Sequence, residues 1–212
     1  VKEKVNKAFE LLFDKYGEQF WWPGETPWEV CAGAVLTQNT NWGNVEKAIE
    51  LLKQRNALDP EVVLSMPDSE LEAAIRPSGF FRLKAKRLRA VARWWLEHSP
   101  NIMTRRHEAQ ELGKWRESLL SVNGVGEETA DSILLYAFDL PVFVIDAYTR
   151  RMAARHFQLP ENISYGELQH IFMDFLPKDV RLYNEYRALI VRNSKDHCRK
   201  KECTCDCPLR LL

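Results

Sequence analysis

Apolar side chains recur every three or four residues along almost the whole chain, and period-two alternation is nearly absent. That property confines the fold to packed helices, because strict alternation is what lays one face of a sheet on a core. Helices are predicted over 5–13, 27–36, 41–52, 83–96, 108–120, 127–138, 146–157, 164–176 and 182–191, with further starts at Asp59-Pro60 and Pro67-Asp68. Pro27 opens one stretch and Asn41 caps another, while Ala32-Gly33-Ala34 permits close helix packing. Only 142–145 is a candidate strand. There is no internal repeat and no low-complexity linker, and the fold class is all-α.

The 212 residues exceed a typical domain of about 150 and suffice to bury a core without metals or disulfides. A content of 45% hydrophobic and 28% charged residues excludes a disordered or collagen-like chain. No apolar run approaches the ~20 residues of a membrane span; the longest, Ser132 to Ile145, is broken by Asp139 and Pro141. No basic-then-apolar leader precedes the first helix, so a cytoplasmic protein with no membrane partner is expected.

Thirty basic and thirty acidic side chains cancel, which argues against nucleic-acid binding by bulk charge. The distribution is less even. Arg76, Arg82, Lys84, Lys86, Arg87, Arg89 and Arg93 follow one another with no acid between them, after a stretch carrying Asp59, Glu61, Asp68, Glu70 and Glu72. An electropositive face and a separate acidic one are expected, enough for a local anion partner; the plainer reading is a solvated helix face.

Between two helical patterns lies Val122-Asn123-Gly124-Val125-Gly126-Glu127-Glu128-Thr129-Ala130. Two glycines permit positive φ and leave backbone N–H groups open at a helix start, which suits a phosphate. A dinucleotide fingerprint is excluded: Thr129 stands at the third glycine, and a helix rather than a strand precedes the loop. By itself the loop is equally compatible with an ordinary helix–helix turn.

Gly124-Val125-Gly126-Glu127-Glu128-Thr129-Ala130, followed by Val144-Ile145-Asp146-Ala147-Tyr148-Thr149-Arg150-Arg151, resembles the helix-hairpin-helix DNA glycosylases of the endonuclease III superfamily. Leu36-Thr37-Gln38-Asn39-Thr40, Gly79-Phe80-Phe81 with Lys84-Ala85, and Tyr183-Asn184-Glu185-Tyr186 before a terminal cysteine cluster extend the likeness over nearly the whole chain. The resemblance implies two helical domains with the active-site cleft between them: 27–139 as a six-helix domain bearing the hairpin, and 1–26 plus 140–212 as a second helical domain bearing the cysteines. It implies that Gly124 and Gly126 hold DNA phosphates and that Asp146 is catalytic. It further implies that Gln38 or Asn39 fills the space left by a flipped base while Phe80 wedges the duplex. A monomeric, nucleoid-associated protein of a bacterium or archaeon, acting on double-stranded DNA with a damaged base, is the expected setting.

Two departures refine this. Bifunctional members carry a hairpin lysine that attacks the sugar as an imine-forming nucleophile; here that position is Glu128, and a carboxylate forms no imine, so strand-cleaving lyase activity is not expected. Secondly, Phe20-Trp21-Trp22-Pro23 together with Trp42 resembles the pocket of the bacterial 3-methyladenine DNA glycosylase branch, whose aromatics sandwich a methylated purine. The alternative is that these tryptophans are simply core. No glutamate lies on Ala32-Gly33-Ala34, which sets aside the adenine-mismatch branch. Lys195 is a further pocket candidate.

The chemistry suits the residues. Flipping a base costs a few kcal/mol, and each stacking contact returns about 1–3 kcal/mol. A ring-methylated purine is cationic, attracts a π-face and leaves readily, so one carboxylate suffices to stabilise the oxocarbenium-like sugar and orient water. Asp146 also suits a helix N-cap. A uracil or thymine mismatch glycosylase would use the same scaffold, and a non-catalytic DNA-binding relative is the third reading, against which Asp146 argues.

Cys198, Cys203, Cys205 and Cys207 crowd the C-terminal end, which favours metal over disulfides. The resemblance implies a 4Fe–4S cluster on Cys-x6-Cys-x2-Cys-x5-Cys; Cys198-x6-Cys205 matches, and then Cys205-x-Cys207 departs. Zinc on the same cysteines, or no metal, are the alternatives. Cys31 reads as core.

Overall fold

A computed structural model of the chain describes residues 1–21, 24–105, 111–199, 202–204 and 206–212. Its helices are α1 (Lys2–Tyr16), α2 (Pro27–Leu36), α3 (Trp42–Gln54), α4 (Pro60–Ser65), α5 (Asp68–Ile75), α6 (Phe81–Arg105), α7 (Leu112–Leu120), α8 (Glu127–Phe138), α9 (Ala147–His156), α10 (Tyr165–Phe175) and α11 (Val180–Asp196). Local chemistry sets many of the boundaries. Thr26 accepts from the Glu29 amide ahead of Pro27, Asn41 from Asn44 and Asp59 from Glu61 and Val62. Ser164 and Glu167 form a reciprocal capping box. At the other end of α8, Asp139 takes the left-handed conformation, φ 54°.

The chain divides into two units, Val1–Trp21 with Pro141–Leu212, and Trp22–Leu140. The first boundary falls five residues earlier than the 26/27 expected from sequence, and Gly24 sits against Glu29 and Val30 of α2. In the inserted unit α2 is buried on nearly every side and packs chiefly on α8. Trp95 stacks on Phe138 at 5.0 Å and meets Trp28 edge-on at 5.5 Å, while Trp94 donates its indole N–H to Ser118. In the terminal unit Phe143 stacks on Phe172 at 4.3 Å, and the buried Tyr186 hydroxyl donates to the Val5 carbonyl of α1 at 2.8 Å.

Three expectations are corrected. The segment 142–145 is buried and extended, but no strand occurs among the described residues. In place of a ladder, the Tyr165 hydroxyl accepts from the Ile145 amide and Gln169 donates to the Phe143 carbonyl, so side chains of α10 satisfy this backbone. Secondly, α6 runs on through Pro100 to Arg105, past the expected end at 96, and anchors Ile102 in the core. The expected start of α7 at 108 lies outside the described residues, and the helix is described from Leu112.

Thirdly, the basic run and the acids before it are not wholly separate, since two pairs join them. Arg89 meets Asp68 at 2.9 Å and Arg82 meets Glu72 at 3.7 Å. Arg89 also donates to the carbonyls of Leu64 and Met66. Lys84 is only 1% exposed and donates to the carbonyls of Leu36 and Ser78. Burial, then the neighbouring Arg87, brings its pKa down to about 8.

Candidate functional site

The hairpin joins α7 to α8 through residues 121–126. Arg116 of α7 staples it, with Nε 2.7 Å from a carboxylate oxygen of the buried Asp131 and a guanidinium N–H 3.4 Å from Glu127. Gly124 has φ +88°, and a Cβ there would fall 2.5–2.7 Å from the Arg87 side chain. Gly126 has φ −96° and precedes α8 as its N-cap, with open space where a Cβ would project. The left-handed requirement expected of both glycines therefore falls on Gly124 alone. Gly126 has no side chain to cap the first-turn amides of α8, the arrangement that suits an anion. Glu128 is exposed in that first turn.

Gln38 is tied into this hairpin. Its amide N–H donates to the Gly124 carbonyl and to the Thr129 hydroxyl, both at 3.0 Å, and its oxygen accepts from Arg87. The absent Cβ at 124 thus makes room for the guanidinium that holds Gln38. Asn39 is exposed with φ +55°. Of the two residues expected to enter the duplex, Gln38 is engaged within the protein and Asn39 faces solvent. Phe80 is 67% exposed with φ +45°, beside Gly79 at φ +73° and at the entry to α6. Trp42 begins α3, and its indole lies over Gly33 of α2, which offers no side chain there.

In the terminal unit Asp146 is 4% exposed. One carboxylate oxygen accepts from the Thr149 amide at 2.7 Å and hydroxyl at 2.9 Å, capping α9; the other lies 3.3 Å from a guanidinium nitrogen of Arg187. The same guanidinium stands 5.8 Å from the centroid of the half-buried Trp21 ring. The Gln19 amide donates to Glu185 at 2.7 Å, fastening the segment before Trp21 to α11. Burial raises the Glu185 pKa. Lys195 is exposed in the last turn of α11. Trp22, Pro23 and Cys205 lie outside the described residues.

The cysteine segment converges on a residue the sequence did not flag. His156 ends α9, and its Nε2 lies 3.7 Å from the sulfurs of Cys198 and Cys203 and 3.9 Å from that of Cys207. Burial opposes ionisation of Cys198, but His156 and Arg155 outweigh it and bring the thiol down to about 7. Burial likewise opposes the His156 cation, yet the two sulfurs of Cys198 and Cys207 push its pKa up to about 9. Cys31 is fully buried, and burial pushes its thiol well up. Arg187 was missed as well; its one signal is its place next to Tyr183-Asn184-Glu185-Tyr186.

Residues 32–178 match the family model described as HhH-GPD superfamily base excision DNA repair protein. A Methanocaldococcus jannaschii protein provisionally named a DNA repair glycosylase is 47% identical, over 98% of this chain and 94% of its own length. Among solved structures, the H. pylori 3-methyladenine DNA glycosylase MagIII bound to 1,N6-ethenoadenine superposes with a TM-score of 0.75 at 30% identity, covering 92% of this chain and 97% of that one. A non-covalent endonuclease III–DNA complex has a similar fold, with a TM-score of 0.82 at 21% identity over 100% of this chain and 94% of that one.

Proposed function

This chain belongs to the HhH-GPD superfamily of base excision DNA repair proteins, and from that premise we propose that it hydrolyses the glycosidic bond of N-alkylated purines without cutting the strand. The observation that carries the reading is the Asp146–Arg187–Trp21 arrangement. It ties a carboxylate suited to the sugar, through one guanidinium, to an aromatic face suited to the base. The likeness to the H. pylori 3-methyladenine enzyme supports the substrate class. The protein would act as a cytoplasmic monomer on duplex DNA.

In this reading the backbone amides at Gly124 and Gly126 hold a phosphate, Phe80 wedges the stack, and Asn39 occupies the vacated position. Trp21 and Trp42, with Trp22 and Pro23, stack on the extruded base. The π-faces attract a cationic methylated purine. Asp146 stabilises positive charge as it develops on the sugar and directs water to it. Its fixed contacts to Thr149 and Arg187 set the direction in which it faces. Glu128 supplies no amine, so no covalent imine with the sugar forms at the hairpin.

Family resemblance also implies a 4Fe–4S cluster on Cys198, Cys203, Cys205 and Cys207. The donors described do not fit it. Such a cluster needs room for four irons and four sulfides between its thiolates, whereas the ligand atoms of His156, Cys198 and Cys203 all lie within 4.8 Å of one another.

The test is release of free base from duplexes containing methylated purines, beside a uracil–guanine duplex, with borohydride present. Methylpurine release, intact strands until alkali is added, and no trapped adduct are expected. A trapped adduct overturns the hydrolytic mechanism, and preferential uracil release overturns the substrate class.

A further inference from the structure

We propose that His156, Cys198, Cys203 and Cys207 form a closed tetrahedral site for a single zinc ion, with His156 as the fourth ligand in place of Cys205. A tetrahedral zinc with bonds of about 2.3 Å to sulfur and about 2.0 Å to nitrogen separates its sulfur and nitrogen ligands by about 3.6 Å. The observed separations from His156 Nε2 are 3.7, 3.7 and 3.9 Å. These separations match one ion between His156 and each sulfur; the ligand atoms of His156, Cys198 and Cys203 already lie within 4.8 Å of one another, and the Cys207 sulfur closes the set by drawing in toward them. Three sulfurs and one imidazole nitrogen are also a donor set that zinc takes in structural sites.

The surroundings suit thiolates. Arg155 donates to the Cys198 sulfur at 3.4 Å and Asn193 to the Cys207 sulfur at 3.6 Å, the outer contacts that orient and stabilise ligating sulfur. Arg151 holds the Cys198 carbonyl at 2.9 Å. Cys198 is fully buried, Cys207 is 4% exposed and Cys203 is half-buried; four protein ligands leave no position open to a substrate, so the site is structural. It would pin the tail beyond α11 to the end of α9. Such a link adds to the anchoring already given by the fully buried Leu209, because metal binding contributes directly to folding.

The assay is metal and acid-labile sulfide content of the full-length protein purified with and without air, followed by cobalt(II) exchange and X-ray absorption. One zinc per chain, no sulfide, and a first shell of three sulfurs and one nitrogen are expected, with the intense visible bands of tetrahedral cobalt–thiolate after exchange. Cys205→Ser should keep full zinc content, and His156→Gln should lose at least half of it. Iron and sulfide near four per chain overturn the proposal, as does metal-free protein, or a first shell of four sulfurs. If His156→Gln does not fold, the wild-type absorption spectrum still decides between nitrogen and a fourth sulfur.

Discussion

Asp146 carries two loads that substitution can separate. In Asp146→Asn the side-chain amide would keep an oxygen for the Thr149 amide and hydroxyl, so the cap of α9 survives, but the charge facing Arg187 is lost. Removing one partner of a fully buried ion pair costs roughly 3–5 kcal/mol. The Arg187 side chain keeps 17% exposure and the Trp21 face, so about 2 kcal/mol is the expected loss for Asp146→Asn. Asp146→Ala also removes the cap, worth about 1 kcal/mol more. At roughly 3 °C per kcal/mol for a chain of this size, Tm should fall by about 6 °C and about 9 °C respectively. Base release should fall by about 10²–10⁴-fold in both variants, while binding of damaged duplex stays within a few fold of wild type. Calorimetry, a base-release assay and fluorescence anisotropy read these three quantities. Asp146→Asn that releases base at the wild-type rate refutes the catalytic role. Equal stability of the two variants refutes the capping arithmetic.

Gly124→Ala forces a left-handed alanine against Arg87 and should cost at least about 1–2 kcal/mol, with weaker DNA binding. Gly126→Ala, at negative φ and in open space, should leave the melting temperature within a degree or two; equal losses would show that the two glycines do the same job. Lys84 gives a pH signature. Its folded pKa of about 8 lies below its ordinary 10.5, so between these values the unfolded chain binds more protons and stability rises with pH. Urea unfolding from pH 7.5 to 10 should show wild type gaining on Lys84→Met across that window, and parallel curves would count against the buried charge. Trp42→Ala should lose about 1–3 kcal/mol of stacking on methylated purines while remaining folded; loss of folding would return this indole to the core.

Much of the helical framework was legible because its punctuation is local. Thr26-Pro27 starts α2, and Gly126 and Asp139 bracket α8, so both helices run over the residues that periodicity indicates. The segment 142–145 misled because a buried extended run looks like a strand whether or not a neighbour pairs with it. Its partners are two side chains of α10, twenty or more residues away. Within the basic run Lys84 was not legible as different from its neighbours: charge along a sequence does not disclose which side chains turn inward, and Lys84 does. At the candidate site Asp146 was nominated by motif and order. Arg187 and His156 were not, since each acquires meaning only from a distant partner: Asp146 41 residues before the one, and three cysteines more than 40 residues after the other.

The terminal unit is assembled from both ends of the chain, with 119 residues between its two pieces. During synthesis α1 emerges before the inserted unit, yet the residues that cover its apolar face include Tyr186 on α11. At ~5–20 residues per second, the ribosome needs on the order of ten seconds to make the intervening chain. Over that interval the inserted unit can close on its own, while Val5, Ala8 and Leu12 wait without their native neighbours. The order of translation thus leaves the unit bearing Asp146 to form last, and a chain stopped before α11 forfeits its first helix together with its last.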